Sequence, residues 1–222
     1  MIEESKKKLR LAVLLSGSGS TMANLVERSR DGRLDAEVVV VVSSRPDAYG
    51  RERASQYGIE EHLVSSRKVD FNQLSLRTYE VIRPFRPDLI ILAGYMCLFR
   101  VPSGYANRVM NVHPTLIPMF CGKGLYGHRV HEAVIRSGLK VSGCTVHFVD
   151  NEYDHGPIIV QRTVPVYFED TPDSLAERVQ AAEREAYPEA INLYASGRLQ
   201  VIDGRVKILG QTPPHTASQV NP

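Results

Sequence analysis

The sequence predicts an α/β protein with a Rossmann-like fold, in which a mostly parallel, twisted sheet carries helices on both faces. A short apolar run at residues 11–15 leads into a Gly-rich turn and then a helical pattern. Five consecutive valines at 38–42 are typical of a strand covered on both faces. Because such runs alternate with helical patterns through the first half, the strands are expected to be parallel, with right-handed crossovers.

The remaining elements of the first half follow from similar local signals. Gly58 ends a helix that follows Pro46, and Gly94 ends a strongly apolar strand. The predicted elements are a helix beginning near 22, a strand at 38–42, a helix after 46, a weaker strand at 61–64, a helix at 71–84, a strand at 88–93, a short helix at 101–107 and a strand at 109–112.

The pattern changes after a loop-like stretch at 114–127 and a helix from about 128 to 136. Two strands at 143–149 and 158–166 are joined by a turn-rich loop, which predicts antiparallel strands near the C-terminal end. Thr171 and Pro172 are the N-cap and first-turn residues of a helix to about residue 195.

Two further signals concern the C-terminal part. Pro188 is expected to kink or interrupt the long helix. Asp203-Gly204 predicts a hairpin between two short strands. Residues 1–209 are therefore expected to form a single domain, and the polar, Pro-rich segment 210–222 is expected to be disordered.

Composition narrows the class of protein. A net charge of +2, from 27 Lys and Arg against 25 Asp and Glu, gives no case for binding nucleic acid or membranes. Three cysteines without a C-x-x-C spacing predict neither a disulfide framework nor a zinc site. The charged start lacks the apolar stretch of a signal peptide, so a cytoplasmic protein is expected.

The Gly-rich turn at 16–21 lies between a strand and a helix. Free N–H groups at a helix N-terminus bind anions such as phosphate. Met22 stands where a dinucleotide fingerprint needs its third glycine, which argues against a nucleotide. The alternative is an ordinary tight turn capped by Ser20 or Thr21.

A second polar cluster ends the strand at 109–112. Asn111 and His113 share a strand face, because alternate residues point the same way. At the carboxyl end of a parallel sheet, an amide beside an imidazole can hold a carbonyl oxygen and supply a proton. The alternative is a structural histidine bonded to backbone.

The loop between the last two sheet strands contains Asp154-His155-Gly156-Pro157, which is also normal turn chemistry. A carboxylate beside an imidazole raises its pKa and orients it, but spacing alone leaves open whether Asp154 reaches His113. The other histidines do not form a zinc pattern, so no metal site is predicted.

Together these motifs resemble the phosphoribosylglycinamide formyltransferases, which are folate-dependent formyl-transfer enzymes of purine synthesis. The resemblance extends from Leu11 to about Leu209, which would make residues 1–209 one formyltransferase domain. The stretches that carry it are Ser16-Gly-Ser-Gly-Ser, Leu92-Ala-Gly-Tyr-Met96, Asn111-Val-His-Pro-Thr-Leu-Ile-Pro118, Gly143-Cys-Thr-Val-His-Phe-Val149, Asp154-His-Gly-Pro-Ile-Ile-Val-Gln161 and Arg178-Val-Gln-Ala-Ala-Glu183.

The resemblance implies direct transfer of a formyl group from the co-substrate 10-formyltetrahydrofolate to the substrate amine, without a metal. Its implied catalytic residues are Asn111, His113 and Asp154. Its implied substrate-binding residues are Gly19, Ser20 and Thr21 at the phosphate, with Gln180 and Glu183. Its implied folate-binding residues are Met96, Cys97, Leu98, Phe99, Asn111 and Asp150. Both partners would be small molecules, and the protein a monomer or homodimer.

This sequence departs from the family pattern at several positions. Cys97 stands where an arginine is usual, Thr21 replaces an asparagine, and His155 replaces a small residue. Phe71 stands where the family often has an arginine, for which Arg67 or Lys68 is the alternative here. The loop at 121–130 is several residues longer than in typical members. These departures bear on folate contacts more than on the reaction.

Other functions remain as alternatives. Formyltetrahydrofolate deformylases share the His and Asp motifs but usually carry an N-terminal regulatory domain, for which residues before Leu11 leave no room. Formyl transfer to methionyl-tRNA would need a basic C-terminal domain. Transfer to a nucleotide-sugar amine and a non-catalytic phosphate-binding module on the same scaffold are the remaining possibilities.

Overall fold

Strands and helices alternate along the computed structural model, which describes residues 7–124 and 126–211. The elements in chain order are β1 (Leu9–Leu15), α1 (Ser20–Arg30), β2 (Ala36–Ser43), α2 (Tyr49–Gln56), β3 (Glu61–Leu63), α3 (Phe71–Ile82), a 3-10 turn (Arg83–Phe85), β4 (Leu89–Leu92), β5 (Val109–His113), α4 (His128–Arg136), β6 (Val141–Phe148), β7 (Ile158–Pro165), α5 (Pro172–Ala195), β8 (Leu199–Ile202) and β9 (Arg205–Ile208).

Seven of these strands form one sheet in the order β3-β2-β1-β4-β5-β6-β7. The pairs from β3 to β5 are parallel, and β6 and β7 are added antiparallel. A separate hairpin is formed by β8 and β9. The predicted Rossmann-like sheet with antiparallel strands towards the C-terminal end is confirmed.

Each face of the sheet has its own hydrophobic core, because side chains alternate along a buried strand. In β1, Leu11, Val13 and Leu15 join a cluster with residues of α1 and α5. Ala12 and Leu14 point the other way and pack with residues of α3. The sheet is thus the middle layer of three.

The strand order reverses direction between β1 and β4, and ligands of open α/β sheets bind at such a point. Ser16 ties the two loops together there. Its N–H donates to the Gly94 carbonyl at 3.1 Å, and its Oγ accepts from the Met96 N–H at 2.9 Å. The Ser16 and Ser44 hydroxyls are 2.6 Å apart, so the floor of this crevice is fixed by buried hydrogen bonds.

The prediction of a helix at 101–107 was wrong. Two consecutive turns occupy this segment, with Tyr105 N–H donating to the Pro102 carbonyl and Arg108 N–H to the Tyr105 carbonyl. Asn107 has a φ of 55°, which no α-helix contains. Prolyl and glycyl residues close together favoured turns over a helix here.

Pro188 does not interrupt α5, which runs unbroken from Pro172 to Ala195. A proline inside a helix leaves the carbonyl four residues earlier without its N–H partner. Here that carbonyl belongs to Arg184, and it accepts from Asn24 Nδ2 at 3.0 Å. A side chain of α1 therefore supplies the missing donor.

The remaining predicted signals at the ends of elements are confirmed. Thr171 caps α5, accepting from the Ser174 N–H, and Pro172 occupies the first turn. Asp203 and Gly204 have φ values of 47° and 71°, as a two-residue hairpin turn with both central residues at positive φ requires. From residue 212 on, the tail predicted to be disordered lies outside the described residues.

Candidate active site

Four polar side chains meet on one face of β5 and β6 near the carboxyl end of β5. In the antiparallel register, Asn111 lies opposite His147, and His113 lies opposite Thr145. Directly opposite residues of paired strands are side-chain neighbours, and alternate residues share a face. The shared face predicted for Asn111 and His113 is therefore extended by two residues of the next strand.

Asp154 joins this group from the loop that connects β6 and β7. Its Oδ1 lies 3.4 Å from Asn111 Nδ2, and its Oδ2 lies 3.4 Å from His113 Nδ1. Oδ2 also accepts from the Gly122 N–H at 2.9 Å. Asp154 itself has a φ of 51°, a left-handed conformation that a tight loop imposes. The structure thus brings together the three residues that the sequence separates.

His147 fixes the orientation of Asn111. Its Nδ1 lies 2.8 Å from the Phe148 carbonyl oxygen, which can only accept, so Nδ1 carries the proton and Nε2 presents a lone pair. Asn111 Nδ2 donates to that lone pair at 3.2 Å. Burial lowers the pKa of His147, so its 3.9 Å approach to Asp154 is not an ion pair.

His113 is 4% exposed, and both of its nitrogens face acceptors. Nδ1 faces the Asp154 carboxylate, and Nε2 lies 3.0 Å from the Phe120 carbonyl oxygen. A doubly protonated imidazole satisfies both acceptors with its two donors. Both ring nitrogens are therefore engaged, Nδ1 by the Asp154 carboxylate and Nε2 by a loop carbonyl.

The Gly-rich turn lies at the opposite end of the same crevice. Gly19, with a φ of 72°, is the N-cap residue of α1, and among the described residues no side chain bonds to this helix start. A Cβ on Gly19 would lie 2.6 Å from Gly50 Cα, so the turn is packed directly against the start of α2. Capping by Ser20 or Thr21 is not observed, and the first N–H groups of α1 are open to a ligand.

α5 carries Gln180 and Glu183 to the wall between these two ends. The helix is anchored by the buried Tyr187, whose hydroxyl lies 2.8 Å from the Met110 carbonyl and 3.1 Å from the Leu92 carbonyl. Glu183 is one turn earlier on the same side of the helix. Burial raises the pKa of its carboxyl to about 7.

A cavity of about 740 Å³ connects these groups. It is lined by the Gly-rich turn, the loop after β4, the end of β5, the loop before α4 and one side of α5. The predicted residues that line it are Gly19, Ser20, Thr21, Met96, Asn111, His113, Asp154, Gln180 and Glu183.

The predicted folate-binding residues are distributed differently. Met96 lines the cavity and is half-exposed, whereas Phe99 is buried in the core cluster on the α3 side of the sheet. Cys97 and Leu98 are partly buried between them. Asp150 lies 2.6 Å from His155 Nδ1, which raises the pKa of that histidine. Contacts of these residues with folate remain a prediction.

The comparison with known families matches residues 9–191 to the formyl transferase family. The chain belongs to this family. The Escherichia coli phosphoribosylglycinamide formyltransferase is 34% identical over 209 residues, which are 93% of this chain and 96% of that protein. The chloroplastic enzyme of the same name from Arabidopsis thaliana is 37% identical over 87% of this chain and 68% of its own length.

The fold of the family is shared as well. The glycinamide ribonucleotide transformylase 1 of Symbiobacterium toebii superposes with a TM-score of 0.85 at 40% identity, covering 91% of this chain and 95% of that one. Solved formyltetrahydrofolate deformylases are 23 to 24% identical, a likeness that extends to the fold alone. The predicted resemblance to the phosphoribosylglycinamide formyltransferases is confirmed. The predicted activity, formyl transfer in purine biosynthesis, is confirmed with it.

Several matched relatives are longer than this chain, which spans 14 to 68% of the length of the plant and animal proteins. Within residues 7–124 and 126–211, no helix is long and apolar enough to cross a bilayer. In the same ranges, no three His, Cys, Asp or Glu side chains are grouped as metal ligands.

Sequence reasoning missed several residues of the site. His147 is one of the histidines that form no zinc pattern in the sequence. Its position opposite Asn111 depends on a strand pairing that sequence spacing does not fix. Lys123, His128 and His131 line the cavity from the loop before α4 and from α4 itself. A helical repeat places His128 and His131 on one side of α4, which is the available signal.

Proposed function

We propose that this member of the family transfers the formyl group of 10-formyltetrahydrofolate to the amine of 5-phosphoribosylglycinamide. The observation that carries the proposal is the Asp154 carboxylate, which bridges Asn111 and His113 at one end of a cavity whose other end is an uncapped helix start. A phosphorylated amine of this length would place its phosphate and its nucleophile at the two ends.

The phosphate is assigned to the Gly-rich turn. The N–H groups of Gly19, Ser20 and Thr21 and the positive end of the α1 dipole would bind its oxygens. Glu183 and Gln180, on the wall between the two ends, would contact the ribose or glycinamide part. This places the amine beside Asn111 and His113.

The reaction then proceeds by direct attack. The lone pair of the amine nitrogen forms a bond to the formyl carbon, and the carbonyl π electrons move to oxygen. Asn111 donates to this oxyanion the N–H that now makes the longer, 3.4 Å contact with Asp154, while His147 holds the other N–H. Protonated His113 stabilises the same oxygen through Nε2, in place of the Phe120 carbonyl.

Collapse of the tetrahedral intermediate completes the transfer. The oxyanion re-forms the carbonyl, the bond from carbon to the folate nitrogen breaks, and that nitrogen takes a proton. The attacking nitrogen loses one proton, which Asp154 and His113 can relay through water. The products are the formamide and tetrahydrofolate.

The folate would enter beside the loop after β4. Met96 and Tyr153 line this side of the cavity. Main-chain groups at residues 96–99 and 149–154 would bind the pterin. Cys97 and Phe71 offer no positive charge for the folate carboxylates.

The competing function is hydrolysis of the same folate by a deformylase. A hydrolase uses water as its nucleophile and has no need of a second, phosphate-binding end, so the uncapped turn at Gly19 favours transfer. A cytoplasmic, single-domain enzyme that is a monomer or homodimer fits the same proposal.

One coupled assay tests it. Purified protein is mixed with 10-formyltetrahydrofolate with and without 5-phosphoribosylglycinamide, and release of tetrahydrofolate is followed by absorbance. Release that depends on the amine is expected. Release at the same rate without the amine would assign a deformylase, and no release in either case would assign a non-catalytic module.

A further inference from the structure

His131 lines the cavity and has no role in the proposed reaction. It lies on α4, is 4% exposed, and lines the cavity together with His113 and Glu183. Its Nδ1 is one of four buried side-chain atoms in the described residues without a hydrogen-bond partner. Unpartnered buried polar atoms are rare in native proteins and cost stability, so this one needs a reason.

The other three atoms differ from it. Tyr95 OH and Thr78 Oγ1 are neighbours, close enough for the threonine hydroxyl to affect the pKa of the tyrosine. Ser142 Oγ lies in β6, and Ser142 is not part of the cavity wall. Tyr95 also lines the cavity, but its hydroxyl faces Thr78 of α3. His131 is the one of the four that lines the cavity from α4.

The tautomer of His131 follows from its burial. An unpartnered N–H in a dry site is rarer than an unpartnered acceptor, so the inaccessible Nδ1 is the atom that lacks the proton. The proton is then on Nε2, and among the described residues no group accepts it, which leaves Nε2–H available to a ligand in the cavity that His131 lines. Burial lowers the pKa of His131 to about 4, so the ring is neutral at physiological pH and acts as a donor without charge.

Its position points to one half of the cavity. α4 packs against α5, and His128, one turn before His131, lies 2.7 Å from Asp173 in the first turn of α5. α5 also carries Gln180 and Glu183, on the wall between the Gly-rich turn and Asn111. Met96 and Tyr153 line the opposite, folate side.

We infer that His131 is a substrate-positioning residue whose Nε2–H donates a hydrogen bond to an oxygen of the ribose phosphate of the amine substrate. The inference rests on the proposed function for the identity of that substrate. Bound substrate would give Nε2–H an acceptor, while Nδ1 stays buried as an unprotonated nitrogen.

The test uses the full chain with two variants. His131→Leu removes both nitrogens at similar volume, and His131→Gln keeps an amide N–H near the position of Nε2. Ser142→Ala is the matched control, because it removes an unpartnered buried oxygen outside the cavity. The measurements are thermal unfolding with and without ribose 5-phosphate, and steady-state kinetics with both substrates.

His131→Leu is expected to keep or raise stability without ligand and to lower stabilisation by ligand. His131→Leu should unfold at the same temperature as wild type or higher without ligand, because an unsatisfied polar atom is removed. It should lose at least half of the stabilisation by ribose 5-phosphate, and its KM for the amine should rise about 10-fold, with the KM for folate unchanged. His131→Gln should recover most of both effects, and Ser142→Ala should keep the full ligand shift.

Any of three results would overturn the inference while leaving the proposed function intact, two of them in the variant and one in wild type. One is a His131→Leu variant with the wild-type ligand shift and KM. Another is a variant that loses stability without ligand and loses kcat, which would mean a structural role. Wild type that ribose 5-phosphate fails to stabilise also overturns it. Only a lack of amine-dependent turnover by the wild type contradicts the proposed function.

Discussion

The two ends of the cavity are built in different ways. At the Asp154 end, which we propose to be catalytic, Asn111, His113 and Asp154 bond to each other, to His147 and to loop backbone atoms. At the Gly-rich end, the start of α1 has no side-chain cap among the described residues. The first end is organised by hydrogen bonds within the protein, and the second would, in the proposed function, be completed by the substrate phosphate. Changes at the first should therefore reduce kcat, and changes at the second should raise KM.

The largest effect is expected at the organised end. Asp154→Asn should lower kcat about 10³-fold, because an amide can neither carry the charge facing His113 nor relay a proton. Stabilisation by 5-phosphoribosylglycinamide should persist in thermal unfolding. Glu189→Gln, on the exposed side of α5, is the control and should keep its kcat. A kcat within 10-fold of wild type for Asp154→Asn would contradict the mechanism.

Substitutions at the Gly-rich end should act through the backbone conformation of the turn. Gly19→Ala forces a Cβ to within 2.6 Å of Gly50 Cα at a φ of 72°, and should lower the free energy of unfolding by about 2 to 3 kcal/mol. The KM for the amine should rise at least 10-fold. A Cβ on Gly17 meets no atom within 4 Å, so Gly17→Ala should unfold like wild type in denaturant. Equal stability of the two variants would show that the turn can move.

The helix that links the ends depends on an ion pair at its start. Arg178 donates to both oxygens of Asp170, at 2.8 and 2.9 Å, and holds the pKa of that carboxyl well below its usual range. Asp170→Asn should lower the free energy of unfolding by about 1 to 2 kcal/mol at pH 7.

The pH dependence of this effect has a definite sign. Because the folded pKa is lowered, the contribution is complete above the unfolded pKa near 4 and is lost as the pH falls below it. The difference between Asp170→Asn and wild type should therefore shrink in acid. Asp47→Asn breaks an exposed pair with Arg45 and should cause no measurable change at either pH.

An effect of similar size and opposite sign is expected at Glu183, whose pKa burial raises to about 7. In wild type the Glu183 carboxyl binds its proton more tightly in the folded state than in the unfolded state. The free energy of unfolding therefore declines between about pH 4.5 and 7. Glu183→Gln should match wild type at pH 5 and exceed it by about 1 to 2 kcal/mol at pH 8. Denaturant unfolding at both pH values measures this. A variant less stable at pH 8 would mean that a cation partners the carboxylate.

Much of the scaffold could be predicted because its signals are local. The valines of β2 and the Asp203-Gly204 turn each fix a conformation through their own sterics. The segment at 101–107 and the continuity of α5 could not be predicted in the same way. Pro188 is accommodated by Asn24, a residue of another helix, and no pattern in α5 announces that partner.

The same division applies to the candidate site. Asn111 and His113 share a face by strand periodicity alone. Asp154 reaches them through a loop whose path depends on the antiparallel register of β6 and β7, so its place came from the resemblance rather than from spacing. His147 depends on register, and His131 on how α4 packs against α5. Strand register and helix packing are set by contacts between residues far apart in the sequence, and short sequence patterns carry no information about those contacts.

The bond from the Gly122 N–H to Asp154 has a consequence for how the loop before α4 communicates with the chemistry. Coupling between two sites is reciprocal. A contact that holds Gly122 in place therefore favours the bonded position of the Asp154 carboxylate, and a change that displaces Asp154 frees the loop at Gly122 to the same degree. The exchange rate of this single amide hydrogen with solvent deuterium should then report how often the Asp154 carboxylate leaves its position. It can be read at a position that takes no part in the bond changes.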